Sequence, residues 1–220
     1  MKIKTDAILW KDLIFLKKGI KTLIVSLAMM IGMTCFIGIV NPYLSLEVLL
    51  PFLSLIFTTM IFGGICENTR EMISGFLEAI AATHLSLKKV FFKDVMFSVI
   101  IGMILSIFTF FVSIIILKTF GYEAVFSNLG SVLILSLFAS IGSLGIQREG
   151  GISLPFSNSF FNNLLGFVTL SFYLFSFLIF FIDWAYMVLW IMSIIGVVIF
   201  LILSFFGREN KEAVINLWGA

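Results

Sequence analysis

The chain has 220 residues, of which 61% are apolar and only 12% charged, with 27 Phe and a mean hydropathy of +1.19. Soluble domains are about half apolar and a quarter charged, so the composition excludes an ordinary water-soluble fold. At roughly 20 apolar residues per membrane-spanning helix, the length accommodates six spans and no sizeable soluble domain. The net charge of +2 says little; the placement of the charges says more.

Residues 1–21 are basic and open the chain without a small-residue cleavage site, so no cleavable signal peptide is expected. Thr5 or Asp6 is a candidate helix cap. Ile8, Leu9, Leu13, Leu16 and Ile20 then recur at helical spacing, with the lysines largely elsewhere and Trp10 suited to a headgroup region. This pattern predicts an interfacial helix on the inner membrane surface.

The first span is expected at about 22–40, ended by Asn41-Pro42, and the second at about 48–65, with Pro51 near its start where a missing N–H costs least. A polar segment, 66–94, follows. The third span is expected at about 95–117 and the fourth at about 129–146. The fourth is rich in small residues (Ser131, Ser136, Ala139, Ser140, Gly142, Ser143, Gly145) that let a neighbouring backbone approach. The loop 147–163 carries Pro155, two glycines and several Ser and Asn and reads as irregular. The fifth span, about 164–182, is crowded with Phe. Asp183-Trp184-Ala185-Tyr186 reads as a tight outer turn before the sixth span, about 187–206.

Thirteen of the fourteen Lys and Arg fall on one side of this arrangement; only Lys118 falls on the other. The positive-inside rule then puts both termini in the cytoplasm and requires an even number of spans. Each expected span lacks Asp, Glu, Lys, Arg and His, which argues against a proton-coupled pump or a charged-substrate channel. Cys35 and Cys66 are too few and too far apart for a disulfide framework.

Segment 66–94 is the longest polar interruption and holds eight charged residues. Ile73 to Ala82 reads as a short helix with Phe76, Leu77 and Ile80 on one face. Thr83-His84-Leu85 breaks it, and Ser86 is placed to cap the helix entering the third span. Glu67, Glu71, Gly75, Leu77, Glu78, Thr83, Leu85, Ser86 and Lys93 follow a pattern that resembles the ABC-2-type exporter permeases, with His84 where that family has Pro. Trp10-Lys11-Asp12-Leu13 is similar to the family's amphipathic N-terminal helix.

The resemblance implies an all-α integral membrane permease of six transmembrane helices. It would pair with a second permease subunit in the lipid bilayer of a prokaryotic plasma membrane, each copy bound to a separate ABC ATPase that holds ATP and magnesium. Segment 66–94 would be the coupling element, with Glu67, Arg70, Glu71, Gly75, Phe76, Leu77, Glu78, Thr83 and Ser86 against the ATPase. The chain itself has no GxxxxGK[ST] phosphate loop and is not expected to be an enzyme, to hold a cofactor or to bind nucleic acid.

The expected cargo is amphipathic or hydrophobic: a peptide, a bacteriocin or a lipid-like compound. Ser136, Ser140, Ser143, Phe172 and Phe175 are candidates for a substrate path or subunit interface. Alternative readings are the permease of a haem or cytochrome-maturation exporter and a membrane assembly protein that transports nothing. His84, the only histidine, with Cys66 and nearby glutamates falls short of the three or four clustered ligands of a zinc site, and no metal is expected. Glu67, Glu71 and Glu78 read as solvated or partner-facing acids rather than catalytic ones, since an intramembrane enzyme needs further polar groups at depth.

Overall fold

The computed structural model describes residues 7–41, 46–64, 87–122, 128–153, 159–179 and 181–206, and among these every regular element is helical. The elements are α1 (Ala7–Lys18), α2 (Ile20–Val40), α3 (Leu46–Gly64), α4 (Leu87–Thr119), α5 (Leu129–Ser153), α6 (Ser159–Leu178) and α7 (Asp183–Phe206). The first four residues of α3, Leu46–Leu49, form a 3₁₀ turn. Pro51 follows directly, so its missing N–H falls in the first α-helical turn, where no bond is lost from the helix interior.

Five of the helices contain segments long and apolar enough to cross a membrane: Ile20–Val40, Leu46–Gly64, Phe92–Thr119, Leu129–Ile146 and Asp183–Ile202. These fall on five of the six expected spans. For the expected fifth span, the described apolar stretch is the shorter Gly166–Leu178. Helix α4, at 33 residues, is about 50 Å long at 1.5 Å per residue, more than a hydrocarbon core of roughly 30 Å. Its first turn, with Lys88 and Lys89, therefore lies ahead of the apolar stretch, which opens at Phe92.

Three local expectations are corrected. Gly150 and Gly151 do not open a loop: α5 runs through them to Ser153, and α6 begins at Ser159, leaving only 154–158 between the two helices. The fifth apolar helix ends at Leu178 rather than near 182, because the chain turns there. The amides of Phe181 and Ile182 both donate to the Leu178 carbonyl, at 2.9 and 3.0 Å. Asp183-Trp184-Ala185-Tyr186 is not the turn but the first turn of α7, where the Asp183 carboxylate complements the positive end of the helix dipole.

The helix ends gather at two poles. At one, Leu46 of α3, Leu117 of α4, Val132 of α5 and Tyr186 of α7 share an apolar cluster. Here α4 is closed by Gly121, whose φ of +82° only glycine adopts without strain. The Tyr122 amide reaches back to the Leu117 carbonyl (3.0 Å) and the Gly121 amide to that of Lys118 (3.1 Å), and Tyr122 packs near Leu117, a Schellman ending. At the opposite pole Phe62 of α3, Val95 and Val99 of α4, Leu144 of α5 and Phe200 of α7 form a second cluster. Leu16 of α1 joins Ile61 and Phe97 beside it. Lys17, Lys18 and Lys21, in sequence beside Leu16 and Leu23, and Lys93, beside Val95, fall at this second pole, and Lys118, next to Leu117, at the first.

Helix α3 is the axis of the bundle. Two thirds of its residues are buried (67%), against 17% in α2 and 28% in α7. Helix α5 packs extensively against α7. A Cβ on Gly142 would stand 3.2 Å from the Cα of Gly196, and one on Gly196 would stand 2.9 Å from the Cα of Gly142, so the two backbones touch as small residues permit between membrane helices.

Helix α4 shows how the bundle distributes polarity. Ser98, Gly102, Ser106, Thr109 and Ser113 share one face and are buried, whereas Ile100, Ile104, Phe108, Phe111 and Ile115 share the opposite face and are exposed. In water this arrangement would be inverted. In lipid, large apolar side chains face the tails and small hydroxyls face protein.

On α1, Leu13 is exposed and Asp12 is fully buried, and the helix lies against α4 and α2. The candidate caps Thr5 and Asp6 lie outside the described residues.

Candidate functional site

The centre of the bundle holds a group of hydroxyls contributed by α3, α5 and α6. Ser54 of α3 is fully buried. Its single proton is shared between the carbonyls of Pro51 (3.0 Å) and Ser136 (3.2 Å), and its oxygen lies 3.0 Å from the Ser140 hydroxyl. One turn further along α3, Thr58 donates to the Ser54 carbonyl at 2.7 Å, and Thr59 lies 2.7 Å from that of Leu55. The Tyr173 hydroxyl of α6 is hydrogen-bonded to Thr59 and lies 3.1 Å from the Leu55 carbonyl. Thus α3 is tied to α5 by serine contacts and to α6 by a tyrosine.

Proline and serine chemistry explain why this happens on α3. Threonine and serine in a helix donate to the carbonyl three or four residues back, which lets a hydroxyl enter an apolar interior without a partner on another helix. Among the buried hydroxyls, Thr34, Thr58, Ser98, Ser106, Ser113, Ser136 and Ser193 all do this. Thr109 is the exception: its hydroxyl is buried with no partner, a deficit of about 1–3 kcal/mol.

Five sequence candidates lie within or beside this core. Ser136 and Ser140 face α3 through the contacts above. Ser143 is buried and lies 3.4 Å from the Ser140 carbonyl. Phe172 is buried and joins Leu55, Leu135, Ala139 and Leu189. Phe175 is half-buried and meets Trp184 edge-on, with ring centroids 6.2 Å apart. The aromatic residues of α6 do not form one face: Phe167 and Phe177 are exposed, while Phe172 is buried. The other nine candidates, Glu67, Arg70, Glu71, Gly75, Phe76, Leu77, Glu78, Thr83 and Ser86, lie outside the described residues.

Sequence reasoning missed three buried carboxylates, two of them, Glu47 and Asp94, one residue ahead of an expected span. Asp12 and Asp94 are buried on α1 and α4. Glu47 is buried in the first turn of α3 and accepts the Asn128 amide at 2.5 Å, where Asn128 precedes α5. A carboxylate there satisfies an end-of-helix donor and meets the positive end of the α5 dipole. The signal available was position alone, an acid one residue ahead of an apolar run; its partner is 81 residues away.

The hydroxyl core is built from Ser54, Thr58, Thr59, Ser136, Ser140 and Tyr173, held by hydrogen bonds within and between helices. No protein-family model matches the chain, and no curated protein or solved structure matches it.

Proposed function

We propose that the chain is the membrane subunit of an ATP-driven exporter of the ABC-2 type, crossing a prokaryotic plasma membrane six times with both termini in the cytoplasm. The observation that carries the reading is the polar segment strung between α3 and α4. Its residues Glu67, Glu71, Gly75, Leu77, Glu78, Thr83, Leu85 and Ser86 resemble the coupling region of those permeases. The helices it joins lie together where it leaves and returns: Phe62, near the end of α3, packs in one cluster with Val95 and Val99 of α4. A partner pushing on the segment would therefore push on the axis helix of the bundle and on its longest helix at once.

In this reading α6 is the remaining span, completed by residues ahead of Gly166. The ATPase is a separate chain that supplies ATP and magnesium, a second permease completes the path, and the cargo is amphipathic or hydrophobic. The charge-free spans support that cargo class.

The test is affinity purification in mild detergent of the native chain and of the Glu71→Lys/Glu78→Lys variant. The expected outcome is that a phosphate-loop ATPase accompanies the native chain and is lost from the variant, while both elute as the same folded species. The purified complex should also hydrolyse ATP faster with a hydrophobic peptide than with a small hydrophilic solute. Absence of any ATPase from the native preparation sinks the exporter reading in favour of a stand-alone membrane protein.

A further inference from the structure

The seven described helices fall into two sets according to what joins them. Helices α3, α5, α6 and α7 are linked by hydrogen bonds that cross from helix to helix. These are Ser54 with Ser136 and Ser140, Glu47 with the Asn128 amide, Tyr173 with Thr59, and Tyr186 with Ser131 at 3.1 Å. The Gly142–Gly196 backbone contact adds to them. Helices α1, α2 and α4 form a second set. The Cys35 thiol of α2 donates to the Ser113 carbonyl of α4 at 3.8 Å. A Cβ on Gly38 of α2 would stand 2.7 Å from the Leu117 side chain of α4. Helix α1 lies against α4 and α2, and Leu16 of α1 and Leu23 of α2 pack about Phe97 of α4 together with Ile61 of α3.

Between the sets runs the small face of α4. Ser98, Ser106 and Ser113 donate only to carbonyls of their own helix, and so does Thr58 of α3 on the other side. No hydroxyl of this face donates across it. What crosses is contact between surfaces: Gly102 stands against the Thr58 backbone, where an added Cβ would lie 2.8 Å from the Thr58 Cα. Leu50 and Leu53 lie with Phe110 and Ile114. Within the face sits Thr109, whose buried hydroxyl is unpartnered in this arrangement.

We propose that α1, α2 and α4 form one body that shears against α3, α5, α6 and α7 along the Ser98–Gly102–Ser106–Thr109–Ser113 face. Such a shift breaks no hydrogen bond made by the hydroxyls of that face, because each turns with its own helix. The arrangement seen is one end of the motion, and the unsatisfied Thr109 hydroxyl is what disfavours it. The inference rests on the packing alone and holds whether or not the protein is an exporter.

The test is distance measurement between paired nitroxide labels on the full chain in lipid nanodiscs, in a Cys35→Ser/Cys66→Ser background and diluted with unlabelled protein. Ile104→Cys with Ile195→Cys spans the seam. Met29→Cys with Ile104→Cys lies within the first body, and Leu174→Cys with Ile195→Cys within the second; all four sites are exposed. The expected result is two narrow distributions within the bodies and a seam distribution broader by about 1–5 Å, the range of helix shifts and one-turn steps. Thr109→Val, which keeps the shape and removes the hydroxyl, should narrow the seam distribution. A seam distribution as narrow as the other two overturns the proposal, as do three equally broad ones. A broad seam distribution unmoved by Thr109→Val overturns the role given to Thr109.

Discussion

Glu47 is the residue whose surroundings commit it most strongly. A carboxylate buried at a helix end holds there because it accepts an amide that would otherwise have no partner. Glu47→Ala removes that acceptor and is expected to destabilise the protein by about 1–3 kcal/mol, the deficit of an unsatisfied buried donor. Glu47→Gln keeps an oxygen facing the Asn128 amide and should recover most of the loss. Denaturant titration in detergent micelles reads both, and an unchanged midpoint for Glu47→Ala removes Glu47 as the tie between α3 and α5. This residue was not legible in advance, since a sequence shows an acid ahead of an apolar run and not the amide 81 positions away that it will meet. The serines of α5 were legible as small residues fit for close approach; that Ser136 and Ser140 meet Ser54 depended on which turn of α3 faced them.

At the level of elements, the α5–α7 contact depends on two glycines while other glycines in the same bundle touch nothing. Gly196→Ala places a methyl 2.9 Å from the Gly142 backbone, and backbone cannot swing aside as a side chain does. The expected loss is about 1–3 kcal/mol, the usual consequence of overpacking. Gly166→Ala on α6 meets no atom within 4 Å and should be neutral or gain about 0.5–1 kcal/mol from helix propensity. Thermal unfolding followed by size-exclusion recovery compares the two, and equal behaviour would mean the helices do not touch at Gly142. The apolar runs themselves were readable: the stretch expected at 129–146 is Leu129–Ile146, and the one expected at 22–40 lies within Ile20–Val40. Length and hydropathy suffice for that, because lipid demands about 20 apolar residues wherever a helix crosses. The face each helix turns inward was not readable. On α4 both faces are free of charge between Val95 and Leu117, so period and polarity give only the weak contrast of Ser and Gly against Ile and Phe. The loops were misjudged where Gly-Gly suggested a break, since a glycine pair lowers helix propensity without forbidding the helix that α5 continues.

For the molecule as a whole, the two poles make a directional prediction. Phe120→Cys, at the exposed turn after α4, should react with a membrane-impermeant maleimide in sealed right-side-out vesicles. Lys17→Cys on α1 should react only after the membrane is opened. Labelling of Lys17→Cys in sealed vesicles would reverse the orientation assigned from the lysines. The central position of α3 has a further consequence, for the order in which the chain is made. Ser54 precedes Ser136 by 82 residues, so at about 5–20 residues per second of synthesis α3 leaves the ribosome roughly 4–16 s before the helix that completes it. During that interval its inward face must reside in lipid or beside the insertion machinery. Thr58 and Thr59 reach carbonyls of α3 itself, and Ser54 reaches that of Pro51, so the hydroxyls that later line the core are already satisfied while the helix waits. The same local bonds that keep the finished interior smooth make its axis a helix that survives newborn and alone in the bilayer.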